Sequence, residues 1–277
     1  MLGANKVFDL PFLQDITLGR YIPGDSVLHR LDPRVKIGGT AAFVGTLLGS
    51  RSGPSVAGAF LLLILLARIA RLPVRLLLGN LRPLAPLLVL TFGLNALWTP
   101  GTTVWTLPGN LGELTSEGMA RGLFLAARLS VLVVGTSLLT LTTSPLELAD
   151  GLEALLHPFK RVGLPVHELA LTTTIALRFV PILIDEVDRL RKAQLARGAD
   201  FSGTPIRRIR SLFPLLLPLF ISAFGRADRL AVAMEARCYR GDYGRTRFRE
   251  LAMTGLDYAA LAGILLAAAL ILSVGLI

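Results

Sequence analysis

The sequence predicts an all-α integral membrane protein with about five transmembrane helices and a cytoplasmic domain of three helices, two of them long. Three observations predict it. Hydrophobic residues make up 53% of the 277 residues and charged ones 17%, where a soluble domain carries about a quarter charged. Apolar runs recur along the chain, ending in twenty uncharged residues at 258–277, and a membrane admits such runs as helices. The net charge of +10 is carried mostly by arginines clustered between the runs. In a membrane protein that excess follows the positive-inside bias and not nucleic-acid binding.

The elements follow in order. The first twenty residues carry Asp9, Pro11 and Asp15 where the apolar core of a signal peptide would lie, so no cleaved leader is predicted. Arg30, Arg34 and Lys36 precede the first apolar run and place the N-terminus in the cytoplasm. Asp32-Pro33 reads as a helix start, with Asp as cap and Pro at the first position. Residues 37–49 and 55–67 form a hairpin of two short spans, with Arg51 outside and Arg68, Arg71, Arg75 and Arg82 on the cytoplasmic return. Residues 83–98 form a third span ending at Trp98, and the loop 99–118 lacks Lys and Arg and is predicted outside. Residues 119–142 form a fourth span; Arg121 snorkels outward, while Arg128 lies well inside and is expected to face protein, paired with a neighbouring helix.

Residues 143–250 hold two further apolar runs, 169–184 and 211–224. If both crossed, Arg189, Arg191, Lys192, Arg197, Arg207, Arg208 and Arg210 would all lie outside, against the bias. Neither is therefore predicted to span. Three helices are predicted instead, on the cytoplasmic side: about 146–157, opened by Ser144-Pro145 with Glu147 in its first turn; about 166–198; and about 206–240, containing Pro214 and Pro218. In the second, Asp185, Glu186 and Asp188 meet Arg189, Arg191 and Lys192 at helical spacings. The organisation is thus a cytoplasmic segment 1–36, four transmembrane helices in 37–142, a cytoplasmic domain 143–250, and a final transmembrane helix in 251–277.

Chemistry is mostly absent. His167-Glu168 lacks a second histidine four residues after the first, because Leu171 stands there. A single cysteine, Cys238, excludes an internal disulfide. None of the four lysines follows a glycine, so the phosphate-binding Gly-Lys pair of a nucleotide-binding loop is missing. No enzyme is predicted, and no cofactor or metal is expected on this chain. What stands out is a pair of helix endings, Ala196-Arg197-Gly198 and Ala236-Arg237-Cys238. The residues alone leave two readings: solvated cations meeting helix C-termini, or plugs for two sockets. Arginine suits a plug, since its planar fork holds a carboxylate bidentately and keeps its charge when buried.

The chain resembles the transmembrane coupling (T) component of energy-coupling factor transporters, prokaryotic importers of the ATP-binding-cassette class. The resemblance rests on Ile22-Pro23-Gly24-Asp25-Ser26 leading into His29-Arg30-Leu31-Asp32-Pro33-Arg34, on Thr142-Thr143-Ser144-Pro145, on Arg178-Phe179-Val180-Pro181, and on the two Ala-Arg endings. In the second, Cys238 departs from the family's glycine. The resemblance implies a multi-pass subunit of the prokaryotic cell membrane, whose three cytoplasmic helices are coupling helices. Arg197 would dock on one cytosolic ATPase subunit and Arg237 on another, and those partners would hold ATP and magnesium. Apolar faces of the long helices would bind a membrane substrate-capture subunit for vitamin or micronutrient uptake. A T subunit dedicated to cobalt or nickel is the nearest alternative. A self-contained permease with its path at Arg128 is a more distant one.

Overall fold

The structure, a computed structural model, describes residues 21–50, 52–106, 113–199, 205–241 and 252–276, with the side chains of Val74, Val104, Thr106, Glu113, 205–212, Gly275 and Leu276 outside the description. The predicted segment up to residue 20, Arg51, the break at 200–204, the side chains of Arg207, Arg208 and Arg210, and the chain at 242–251 lie outside it. The described residues fall into two units, one holding residues 21–154 and 252–276, the other 155–241.

In the first unit the polar start of the chain is pinned by backbone-directed hydrogen bonds. Ser26 caps α1 (Val27–Arg30) and its hydroxyl bonds the His29 ring at 2.6 Å. Asp32 caps α2 (Pro33–Gly49), accepting from Arg34 N at 2.9 Å, with Pro33 at the first position as the sequence predicts. Lys36 differs from its expected role as a membrane-surface anchor. It is buried, and its ammonium donates to the carbonyls of His29 (2.9 Å) and Thr142 (3.2 Å). A buried cation without such acceptors would be costly. Asp257, near the start of the last helix, accepts from Asp32 N at 2.7 Å and from Thr254 N and Oγ1 at 2.8 and 2.7 Å.

Helix α3 (Gly53–Ile69) buries Val56, Ala59, Leu63 and Ala67 at helical spacing and exposes Phe60, Leu61, Ile64 and Leu65. The buried stripe joins Leu47 of α2 and Val131, Leu138 and Leu141 of a later helix in one core. The outer stripe is what a lipid-facing surface requires. α4 (Val74–Gly79) and a 3₁₀ turn (Arg82–Leu84) lead into α5 (Ala85–Trp98). The third predicted span therefore begins earlier than residue 83, since the apolar helical stretch runs Arg75–Trp98. Two short strands, β1 (Thr103–Thr106) and β2 (Glu113–Thr115), pair antiparallel in the loop after it, a ribbon the sequence did not announce.

α6 (Ser116–Thr142) packs on α5 with almost no gap. A Cβ on Gly118 would lie 2.5 Å from Asn95 O, and one on Gly122 2.9 Å from Phe92 O. Small residues four apart let membrane helices approach backbone to backbone in this way. α7 (Pro145–Leu156) opens with a reciprocal capping box: Glu147 N donates to Ser144 Oγ at 3.2 Å and Ser144 N to Glu147 Oε2 at 3.3 Å.

The second unit holds a 3₁₀ turn (His157–Val162), α8 (Val166–Ala196) with Pro181 inside it, and α9 (Pro205–Ala236) with Pro214 and Pro218 inside it. α10 (Gly255–Leu276) returns to the first unit. The described residues are thus all-helical in their regular structure apart from the short ribbon. Among the described residues, three stretches are long and apolar enough to cross a membrane: Arg75–Trp98, Ser116–Thr142 and Gly255–Val274. The first two predicted spans are helices of 17 residues each, shorter than the roughly 20 a crossing takes.

Candidate functional site

The two arginine endings fold into the same turn. At the end of α8, Gly198 takes a left-handed φ of 84°; Gly198 N donates to Leu195 O and Ala199 N to Gln194 O, both at 3.0 Å. At the end of α9, Cys238 takes a φ of 57°; Cys238 N donates to Glu235 O at 2.9 Å and Tyr239 N to Met234 O at 3.0 Å. Residue for residue this is one Schellman cap, built twice. Arg197 and Arg237 occupy the same position, one before the left-handed residue, and Ala196, Gly198, Ala236 and Cys238 are exposed with them. The departure at Cys238 therefore leaves the backbone unchanged. Its side chain stands where a left-handed conformation costs a non-glycine residue about 1 kcal/mol or more.

The two tips face opposite ways. Arg226 of α9 pairs with Glu186 of α8 at 2.9 Å. The Tyr239 hydroxyl meets His167 Nε2 at 3.4 Å. Going from 186 back to 167 on α8 thus corresponds to going from 226 forward to 239 on α9, so the helices run in opposite senses. Arg197 and Arg237 lie on opposite sides of the Glu186–Arg226 contact, on the order of 30 Å apart at 1.5 Å per residue. One socket cannot take both. Glu186, expected to meet basic residues on its own helix, turns across to its neighbour instead. Contacts 40 and 72 residues apart leave no trace in local spacing, and sequence reasoning missed them.

Between the tips α9 carries an apolar stripe. Phe213, Leu217, Phe220, Ile221 and Phe224 are each more than half exposed, at the spacing of one helix face. The Phe220 and Phe224 rings stack at 6.4 Å. Among the described residues of this unit only Val166 and Leu215 are buried hydrophobics. Arg128 is accounted for separately: half-buried in α6, it donates to Leu48 O at the C-terminal end of α2, where a helix presents unsatisfied carbonyls to a cation.

Comparison with known proteins adds the family. A family described as cobalt transport protein matches residues 24–248. The energy-coupling factor transporter transmembrane protein of Thermosediminibacter oceani is 51% identical over 249 residues, 90% of this chain and 93% of its own. That of Heliobacterium modesticaldum is 52% identical over 248 residues, 89% and 92% of the two chains. That of Bacillus subtilis is 41% identical over 261 residues, 94% and 98%. With identity this high over nearly the full length, the chain belongs to the family of energy-coupling factor transporter transmembrane proteins, the T components.

Proposed function

We propose that this chain is the non-catalytic coupling subunit of an energy-coupling factor importer, with α8 and α9 as its coupling helices. Each tip docks on one of two cytosolic ATPase subunits, Arg197 with Ala196 and Gly198 on the first, Arg237 with Ala236 and Cys238 on the second. ATP and magnesium are bound by those partners. The apolar stripe of α9 receives a membrane substrate-capture subunit, which brings a vitamin or micronutrient. Residues 143–250 then form the cytoplasmic domain, the N-terminus is cytoplasmic, and the chain crosses the cell membrane about five times.

The observation that carries this reading is the repetition of one cap at two tips pointing opposite ways. Two like plugs at opposite ends of a helix pair suit two like sockets, as a pair of ATPases would offer. The stripe supports the rest, because an exposed row of large apolar side chains marks an interaction surface. The test is co-purification of the tagged chain from its native membrane. Arg197→Ala and Arg237→Ala are each expected to weaken ATPase retention by about 2–5 kcal/mol, as loss of a buried charge-assisted pair does, and together to abolish transport. Normal ATPase recovery with the double variant would sink the docking role. The cobalt description of the matching family keeps a second reading open, a T subunit dedicated to one metal importer. A single capture subunit in the purified complex would favour it, and several different ones would favour the shared type.

A further inference from the structure

The elbow from the end of α3 to the start of α5 is charged in an unusual way. Arg68, Arg71, Arg75 and Arg82 are all exposed. No Asp or Glu occurs between Asp32 and Glu113, and none of the four arginines pairs with a carboxylate among the described residues. Arg71 is held at a φ of 54°, in the same type of cap as the two tips, with Leu72 N on Ala67 O and Arg71 N on Arg68 O. An arginine keeps this left-handed place although glycine fits it with less strain.

The elbow also lies at the depth of lipid headgroups. It opens the apolar stretch Arg75–Trp98, whose straight part beyond the elbow, α5, runs 14 residues, about 21 Å at 1.5 Å per residue, into the apolar layer. Trp98, 70% exposed, stands at the far end, where interfacial tryptophans sit. On the short helix α4 itself Leu76 and Leu78 are exposed beside Arg75, as a surface touching acyl chains requires.

Beside the elbow is a recess of about 160 Å³, lined by Asn80, Thr136, Ser137, Thr140 and Leu141. α5 and α6 run antiparallel, Gly118 lying against Asn95 and Gly122 against Phe92. The far end of α6 therefore returns to the level where the elbow begins. The three hydroxyls already donate to carbonyls of their own helix: Thr136 to Leu132 O, Ser137 to Val133 O and Thr140 to Thr136 O. What they still offer is lone pairs, which accept. The elbow thus asks for a phosphate, which arginine forks hold well. The three hydroxyls in the recess ask for a group that donates.

We propose that the elbow and recess together bind the headgroup of a glycerol-bearing anionic phospholipid, its phosphate among the arginines and its glycerol hydroxyls in the recess. The inference uses the membrane placement of the chain and is independent of ATPase docking.

The test places the full-length chain in nanodiscs of phosphatidylcholine with an equal minor fraction of phosphatidylglycerol or phosphatidic acid. Lipid retained after mild detergent extraction is then counted by native mass spectrometry. The native chain is expected to retain phosphatidylglycerol over phosphatidylcholine, and over phosphatidic acid, which lacks the glycerol donors. Arg68→Gln with Arg75→Gln and Arg82→Gln is expected to lower that retention on the order of fivefold per arginine. Thr136→Val with Thr140→Val is expected to remove the preference over phosphatidic acid while keeping that over phosphatidylcholine. Equal retention of all three lipids by the native chain, which needs no variant to fold, overturns the proposal. So does a glutamine variant that retains as much phosphatidylglycerol as the native chain.

Discussion

The two units bury their surfaces by opposite means. In the first, a glycine pair brings α5 and α6 into backbone contact, and buried Lys36, Asp32 and Asp257 are each satisfied by main-chain partners. In the second, two helices of 31 and 32 residues meet through a Glu–Arg pair and a Tyr–His contact, and a row of phenylalanines stays uncovered. The first unit closes a core among its described helices. The second leaves most of its apolar surface uncovered among the described residues.

That contrast is broken or sharpened by four variants. The largest effect is expected for Gly122→Leu in the first unit. Its side chain would start 2.9 Å from Phe92 O, and overpacking of this kind costs about 1–3 kcal/mol or more. Detergent-solubilised chain should unfold well below the native temperature; an unchanged transition would mean that the α5–α6 contact is looser than described. Next comes Cys238→Gly at the second tip. Relief of the left-handed strain is expected to stabilise that cap by about 1 kcal/mol, read as slower exchange of the backbone amides at position 238 and Tyr239, which close it. Gly198→Ala at the first tip is the converse, with faster exchange. The smallest effect on folding is expected for Phe220→Ser with Phe224→Ser. Both rings are already exposed, so the melting of the purified chain should stay put while recovery of the membrane partner falls. A drop in melting temperature without loss of partner would show that the stripe belongs to this chain's own core.

Much of this was legible in the sequence where the signal is local. Asp32-Pro33 and Ser144-Pro145 with Glu147 announce helix starts because capping is decided within four residues, and both caps form. The end expected near residue 198 for the first of the two long helices is a left-handed glycine there. What stayed hidden depends on distant partners. Lys36 reads as one of three surface charges, yet it turns inward because the Thr142 carbonyl, 106 residues away, is there to accept from it. Glu186 offers basic neighbours at helical spacing, and only the antiparallel placement of α9 brings Arg226 to it. At the site, the pair of arginines was visible from the repeated Ala-Arg. Neither the identity of their turns nor their opposite directions could be, since a cysteine gives no sign that it will adopt a left-handed φ.

The Glu186–Arg226 contact has a mechanical meaning. Arg197 lies eleven residues beyond Glu186, and Arg237 eleven residues beyond Arg226. The contact thus divides off two arms of equal length, about 16 Å each at helical rise. A balance beam with equal arms has no gearing. Rotation of either helix about this fulcrum by about 10° would carry its tip roughly 3 Å, the same stroke at both ends. A force applied at either tip would therefore meet the same leverage.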